Sequence, residues 1–184
     1  MQANYISDVS RYATYAGLEF SAAFATGYLI ARNQGYKFED IQTQPPVTQC
    51  VYDIVSNNIR VGAMGIAVPI WIAGYNGFSL GYTYYILSTY WGHLKVLKAL
   101  LPHGIIEIPT LLMFCGIGFK IEMDIWHTLT GHKVDWQNSL LGLLEISFYL
   151  SLLFVVAAFI EIYFSKEDKI WEGKIPIYQG CLIK

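Results

Sequence analysis

Apolar residues along this chain gather into four runs, separated by segments where charge returns. The runs cover 12–31, 61–80, 99–119 and 139–164. A helix needs roughly 20 mainly apolar residues to cross hydrocarbon, so the pattern predicts four membrane-spanning helices. The last run, containing "FYLSLLFVVAAFIEIYF", is the most continuous. Between the second and third runs lies "GYTYYILSTYWG", 81–92, apolar and aromatic but too short to cross alone. Tyr and Trp favour the membrane interface. The stretch 81–98 therefore either lies there or forms a short fifth span. The expected fold is all-α: a polytopic transmembrane bundle of four or five spans with kinked or broken helices. It forms one membrane domain over 1–184, with a C-terminal tail at 165–184.

The connections add detail. Segment 32–60 begins polar, breaks at Pro45-Pro46 and then reads "VTQCVYDIVSNNIRV". Val51, Ile54, Val55 and Ile59 recur at helical spacing, which predicts an amphipathic helix over about 48–60, lying on the membrane and leading into the second span. Segment 120–138, with Glu122, Asp124, His127, His132 and Asp135, reads as a polar loop. Lys and Arg are more numerous in the N-terminus, 81–98 and the tail than in 32–60 and 120–138. With four spans, the positive-inside rule then places both termini in the cytoplasm, and a fifth span would separate them. Asp8 and Arg11 precede the first run and no cleavage pattern follows, so that run is expected to be retained rather than processed.

Composition agrees with a membrane location. The chain is 54% apolar and only 14% charged, against a usual charged share of about a quarter. A net charge of −2 and the lack of a basic, aromatic-interleaved patch argue against nucleic acid as a partner. Cys50, Cys115 and Cys181 have no metal spacing, and their odd number speaks against a disulfide framework. The ending Cys181-Leu-Ile-Lys184 imitates a prenylation box, but Lys is not a usual last residue there.

The stretch "LLPHGIIEIP", 100–109, carries the most chemistry. His103 and Glu107 are four apart, so a helix puts them on one face, about a turn from each other. Pro102 biases Leu101 away from helical dihedrals, which predicts a helix beginning there. Pro109 removes a hydrogen bond to Ile105 and predicts a bend beside Glu107. Three uses are open: a polar clasp between helices, a transport or proton-relay role, or a metal or catalytic site. The last is the weakest, because the zinc-protease signature of two His and an adjacent Glu is absent. Glu19 and Glu145 also lie deep in predicted spans. An ionised carboxylate at mid-membrane costs about 2.5–3.5 kcal/mol on insertion scales, so each must be protonated, paired or wet. Asn76 and His103 are the intramembrane partners on offer, with Arg60 at a rim. His127 and His132 fit no metal template, and neither a metal nor a cofactor is expected. Gly17, Ser21 and Ala25 repeat every four residues, as do Gly77 and Gly81, and both sets predict close helix contacts.

Three segments in order carry a resemblance: "NNIRV" at 57–61, "YNGFSLG" at 75–81 and "LLPHGIIEIPTLLMFCGIGFKI" at 100–121. Together they resemble the stage II sporulation protein M family of integral membrane proteins. That family has an Asn-Asn-x-Arg opening to a span, a Tyr-Asn-Gly-x-x-x-Gly exit and a Pro-His-Gly-x-x-Glu-x-Pro segment. Asn57, Asn58, Arg60, Asn76, Gly77, Gly81, Pro102, His103, Gly104, Glu107 and Pro109 match by position. After the last motif, "CGIGFKIEM" departs from a region that often holds more Ala and Gly. The resemblance implies a scaffold rather than an enzyme: the sporulation member supports septal peptidoglycan remodelling together with stage II sporulation proteins D and P. The expected role is a non-enzymatic membrane scaffold or assembly subunit whose partners are lipids, other membrane proteins or a second copy of itself. The alternative is a transporter or channel subunit in which His103, Glu19, Glu107 and Glu145 line a path. A third, weaker reading is an intramembrane enzyme using His103 and Glu107. No nucleotide-binding loop occurs.

Overall fold

The computed structural model describes residues 2–35 and 51–167. The segment around Pro45-Pro46, the start of the predicted amphipathic helix and the tail after Glu167 lie outside them. The described residues form five helices: α1 (Gln2–Gln34), α2 (Val51–Ala67), α3 (Pro69–Trp91), α4 (His93–Leu129) and α5 (Trp136–Glu167). No described residue is in a strand, and the all-helical expectation holds.

The helix boundaries differ from those predicted, for local reasons. The run 61–80 is not one helix. It divides at Val68, whose φ of −142° and ψ of 66° interrupt the helix one residue before Pro69. A residue before proline is pushed out of the helical region, and proline then serves as a first helical residue. The break is tight, because Val68 N–H still reaches Met64 O at 2.8 Å and Ile72 N–H reaches Val68 O at 3.1 Å. The predicted amphipathic helix and the first part of that run are one element, α2. The aromatic stretch 81–92 is the second half of α3 up to Trp91, rather than a separate surface segment. Gly92 ends α3 with φ 83°, a conformation that side chains with a Cβ disfavour, and α4 starts at the next residue.

α4 also corrects the sequence reading. It starts at His93, not at Pro102, and runs through both Pro102 and Pro109 to Leu129. Interior prolines forfeit a hydrogen bond but are tolerated in membrane helices, where neighbouring groups take up the freed carbonyl. Thr110, beside Pro109, donates its hydroxyl to Ile106 O at 2.6 Å and pins the same turn. Because α4 continues to Leu129, Lys120, Glu122, Asp124 and His127 lie on the helix and not in a loop.

α4 is the centre of the bundle and packs against all four other helices, while α1 and α3 form the most extensive pair. The core joins Val9 and Ala16 of α1, Ile72 and Ala73 of α3, Leu111, Phe114, Cys115 and Ile117 of α4, and Leu150 and Phe154 of α5. Phe114 and Phe154 stack with centroids 5.5 Å apart.

Two of the described stretches are long and apolar enough to cross a membrane: Gly104–Leu129 on α4 and Trp136–Ile160 on α5. The expected four or five spans are not supported on that measure. α1 is diluted by polar residues, among them Glu19 and Arg32, and the second predicted span is cut at Val68-Pro69.

Candidate functional site

The three sequence motifs sit on α2, α3 and α4, and the fold brings them to one place. A crevice of about 210 Å³ is lined by Asn57 and Asn58 of α2, Asn76 of α3, and Gly104 and Glu107 of α4. Phe20, Leu80, Leu111 and Phe154 supply apolar wall. Asn58 is half-buried and its Nδ2 donates to Glu107 Oε1 at 2.6 Å, linking α2 to α4. A carboxylate can only accept, so the amide must present its nitrogen. Hydrogen bonds to charged groups are stronger than neutral ones, by roughly a factor of two. Asn76 spends its Nδ2 on Ile72 O of its own helix, at 2.8 Å.

Each remaining motif residue has its own place. Gly104 lies open to the crevice: a Cβ built there would meet only Ile108 Cδ1 of the same helix, at 3.7 Å. Gly77 and Gly81 are buried in the α1–α3 seam, where a Cβ would collide with the backbone carbonyls of Phe20 and Phe24. Gly27 on α1 answers them against the carbonyl of Phe78. Arg60 and Pro109 are exposed, and neither lines the crevice. The side chains of Pro102 and His103 lie outside the described residues, and with them the expected His103–Glu107 pairing. The partner the structure gives Glu107 is Asn58.

The stripe of Gly17, Ser21 and Ala25 is not the contact face of α1. Ser21 and Ala25 are exposed, and the buried face is Val9, Ala13, Ala16, Phe20, Gly27 and Ala31. Ala13, Ala16, Gly27 and Ala31 put small residues on that face as well, so the presence of small residues alone did not choose between two faces. The "CGIG" of 115–118 supplies contacts that sequence reasoning missed. A Cβ on Gly116 would lie 2.5 Å from Val9 O of α1, and one on Gly118 would lie 2.6 Å from Ile66 O of α2.

The intramembrane acids predicted to share a path are separated. Glu19 faces the α1–α3 seam, where a Cβ on Gly74 would lie 3.2 Å from its Oε1. Glu145 is exposed and lines a second cavity, of about 540 Å³, between α1, α4 and α5. The two cavities share no lining residue.

That second cavity holds a polar cluster whose helical spacing was present in the sequence but read as loop. Lys120 and Asp124 form an i,i+4 ion pair at 2.5 Å, and both side chains are nearly buried. Ser139 of α5 donates to the other oxygen of Asp124. Lys120 Nζ sits 5.4 Å from the centroid of the Tyr5 ring. The Tyr5 phenol is pushed up to about 12, by burial first and by the charge of Asp124 second. Among the described residues no group of three or more His, Cys, Asp or Glu is placed to hold a metal.

The fold and site thus define a class: an all-helical protein, with two helices able to cross a membrane and a carboxylate–amide link between helices at the meeting point of three motifs. The particular family follows. The chain belongs to the stage II sporulation protein M family, a membrane-associated family whose sequence pattern matches residues 16–166. It is 30% identical over 156 residues to an uncharacterized protein of Methanocaldococcus jannaschii, covering 78% of this chain and 88% of that relative. No solved structure matches.

Proposed function

We propose that this chain is a multi-pass membrane protein acting as a non-enzymatic scaffold or assembly subunit, with its three motifs forming a clamp that sets the arrangement of α2, α3 and α4. The observation that carries this reading is the Asn58–Glu107 hydrogen bond at 2.6 Å, which joins two helices 49 residues apart in sequence. The carboxylate that a proton path or an intramembrane active site would need is the one bonded across to α2, which favours the polar-clasp use. Its crevice is small and separate from the cavity beside Glu145.

The membrane part of the reading is supported by the outer face of α5. Leu140, Leu144, Phe148, Leu152, Val156 and Phe159 are exposed, with Leu144 at 64%. Monomeric soluble proteins rarely leave so continuous an apolar face to water. α1 and the paired α2–α3 would complete the crossing in contact with α4 and α5, with the exposed hydroxyls of Ser21 and Thr26 bonded back to carbonyls of α1 itself. Partners are other membrane proteins or a second copy of this chain.

The test is mild-detergent co-purification of wild type, Glu107→Ala and Glu107→Gln, with proton and solute flux measured in proteoliposomes alongside. Glu107→Gln keeps a group that can accept from Asn58, so it should retain the partners that wild type retains, and Glu107→Ala should lose them. Measurable flux that Glu107→Gln abolishes, with folding and partners intact, would replace this reading by transport.

A further inference from the structure

The crevice where the three motifs meet holds more hydrogen-bonding capacity than the clamp uses. Asn58 gives an amide N–H to Glu107 Oε1, and Asn76 gives one to Ile72 O. An amide that donates in this way keeps its carbonyl oxygen as an acceptor, and a carboxylate has a second oxygen. Asn58 Oδ1, Asn76 Oδ1 and Glu107 Oε2 are therefore left, one each from α2, α3 and α4, and no described residue donates to any of them. All three residues line the same crevice, with Asn57 beside them on the exposed side.

This set is one-sided. Glu107 is the one charged residue among the described lining residues, and the remaining wall is amide or apolar. Arg60, the cation of α2, is exposed and outside the lining. Apolar wall from Phe20, Leu80, Leu111 and Phe154 makes the field of a carboxylate stronger than it is in water. Position supplies an entry: Gly104 opens the apolar stretch of α4, so the crevice lies at the end of that candidate span and not at its middle.

Charge selects the occupant. An anion would meet a carboxylate and spare acceptors. A divalent cation would leave one positive charge uncompensated beside apolar wall, which is costly. A singly charged cation is neutralised by Glu107, and carbonyl oxygens are the ligands that hold Na⁺ and K⁺ in other membrane proteins. The volume of about 210 Å³, against about 30 Å³ for a water in the liquid, admits an ion with part of its hydration shell. We propose that the crevice binds one alkali cation, Na⁺ or K⁺, through Glu107 and the side-chain oxygens of Asn58 and Asn76. The ion ties α3 to the clamp, because Asn76 otherwise bonds only within its own helix. This rests on the clamp reading, since the Asn58–Glu107 bond decides which oxygens are left.

The test follows thermal unfolding of the full chain in mild detergent, in chloride salts of sodium, potassium, calcium and the bulky cation N-methyl-D-glucamine at equal ionic strength. Sodium or potassium should raise Tm saturably by several degrees over N-methyl-D-glucamine, and calcium should do no better. Asn76→Ala, which leaves the Asn58–Glu107 bond in place, should raise the half-saturating concentration about tenfold. Glu107→Gln keeps an acceptor for Asn58 but removes the charge, so it should lose the response while retaining partners. Equal Tm in all four salts, a larger shift with calcium, or an undiminished response in both variants would overturn the proposal. The clamp is checked separately, by the coupling of Asn58 and Glu107 measured in N-methyl-D-glucamine alone. Coupling without any alkali response contradicts the ion and spares the clamp, whereas absence of coupling contradicts both.

Discussion

At the scale of single residues, the structure singles out an amide that links two helices and a buried phenol, which composition gives no reason to notice. Asn58 holds Glu107, so Asn58→Ala should leave a half-buried carboxylate without its donor. The expected loss is about 1–3 kcal/mol, read as a lower midpoint in detergent unfolding, with Glu107→Gln losing less than Glu107→Ala. Tyr5 provides a pH signature. Its phenol is raised to about 12 from an ordinary value of 10.0. Above pH 10 the unfolded chain releases this proton while the folded protein keeps it, so stability falls as pH rises from 10 towards 12. Tyr5→Phe should flatten that fall, and alkaline unfolding curves of the two proteins, compared at equal salt, check it.

Among the helices, glycines with identical chemistry should respond with opposite sign. Gly81 lies against the backbone of Phe24, so the Cβ of Gly81→Ala must push α1 and α3 apart. Overpacking of this kind costs about 1–3 kcal/mol. A Cβ on Gly104 would make only an ordinary contact with Ile108 Cδ1 at 3.7 Å, and Gly104→Ala should stabilise α4 by about 0.5–1 kcal/mol through its backbone. Thermal unfolding of the two variants side by side gives the comparison. What the sequence made legible at this scale was helix existence, because apolar runs and helical periodicity are local. What it did not make legible were the ends. Pro69 acted as a breaker while Pro102 and Pro109 did not, since only tertiary packing decides whether a proline's lost bond is tolerated. The α1 contact face was missed for the same reason: Gly17, Ser21 and Ala25 compete with a neighbouring face that also carries small residues, and the partner helix makes the choice.

For the molecule as a whole, family membership was readable in advance, because three motifs in order are a global signal; of the motif residues, Asn57, Asn58, Asn76, Gly104 and Glu107 line the crevice. Their pairing was not readable. A polar clasp between helices was among the uses open to Glu107, but nothing local in "NNIRV" announces Asn58 of α2 as its donor. The same distance in sequence hid the cavity joining Tyr5, Lys120 and Ser139, three residues brought together from three helices. The outward face of α5 is the molecule's clearest lipid-facing surface. Replacing exposed Leu144 with Lys should therefore lower the membrane-inserted fraction without affecting the buried core, as membrane fractionation with carbonate washing would show. Near the middle of a spanning helix such a charge costs about 2.5–3.5 kcal/mol.

The central claim is that Asn58 and Glu107 act as one clamp between α2 and α4, and a double-mutant cycle measures it directly. Wild type, Asn58→Ala, Glu107→Ala and the double variant would be unfolded in the same detergent, and their free energies compared. If the clamp is as described, the double variant loses less than the sum of the single losses, with a coupling of about 1–2 kcal/mol. Strictly additive losses would mean that the two side chains do not act on each other, and would contradict the account.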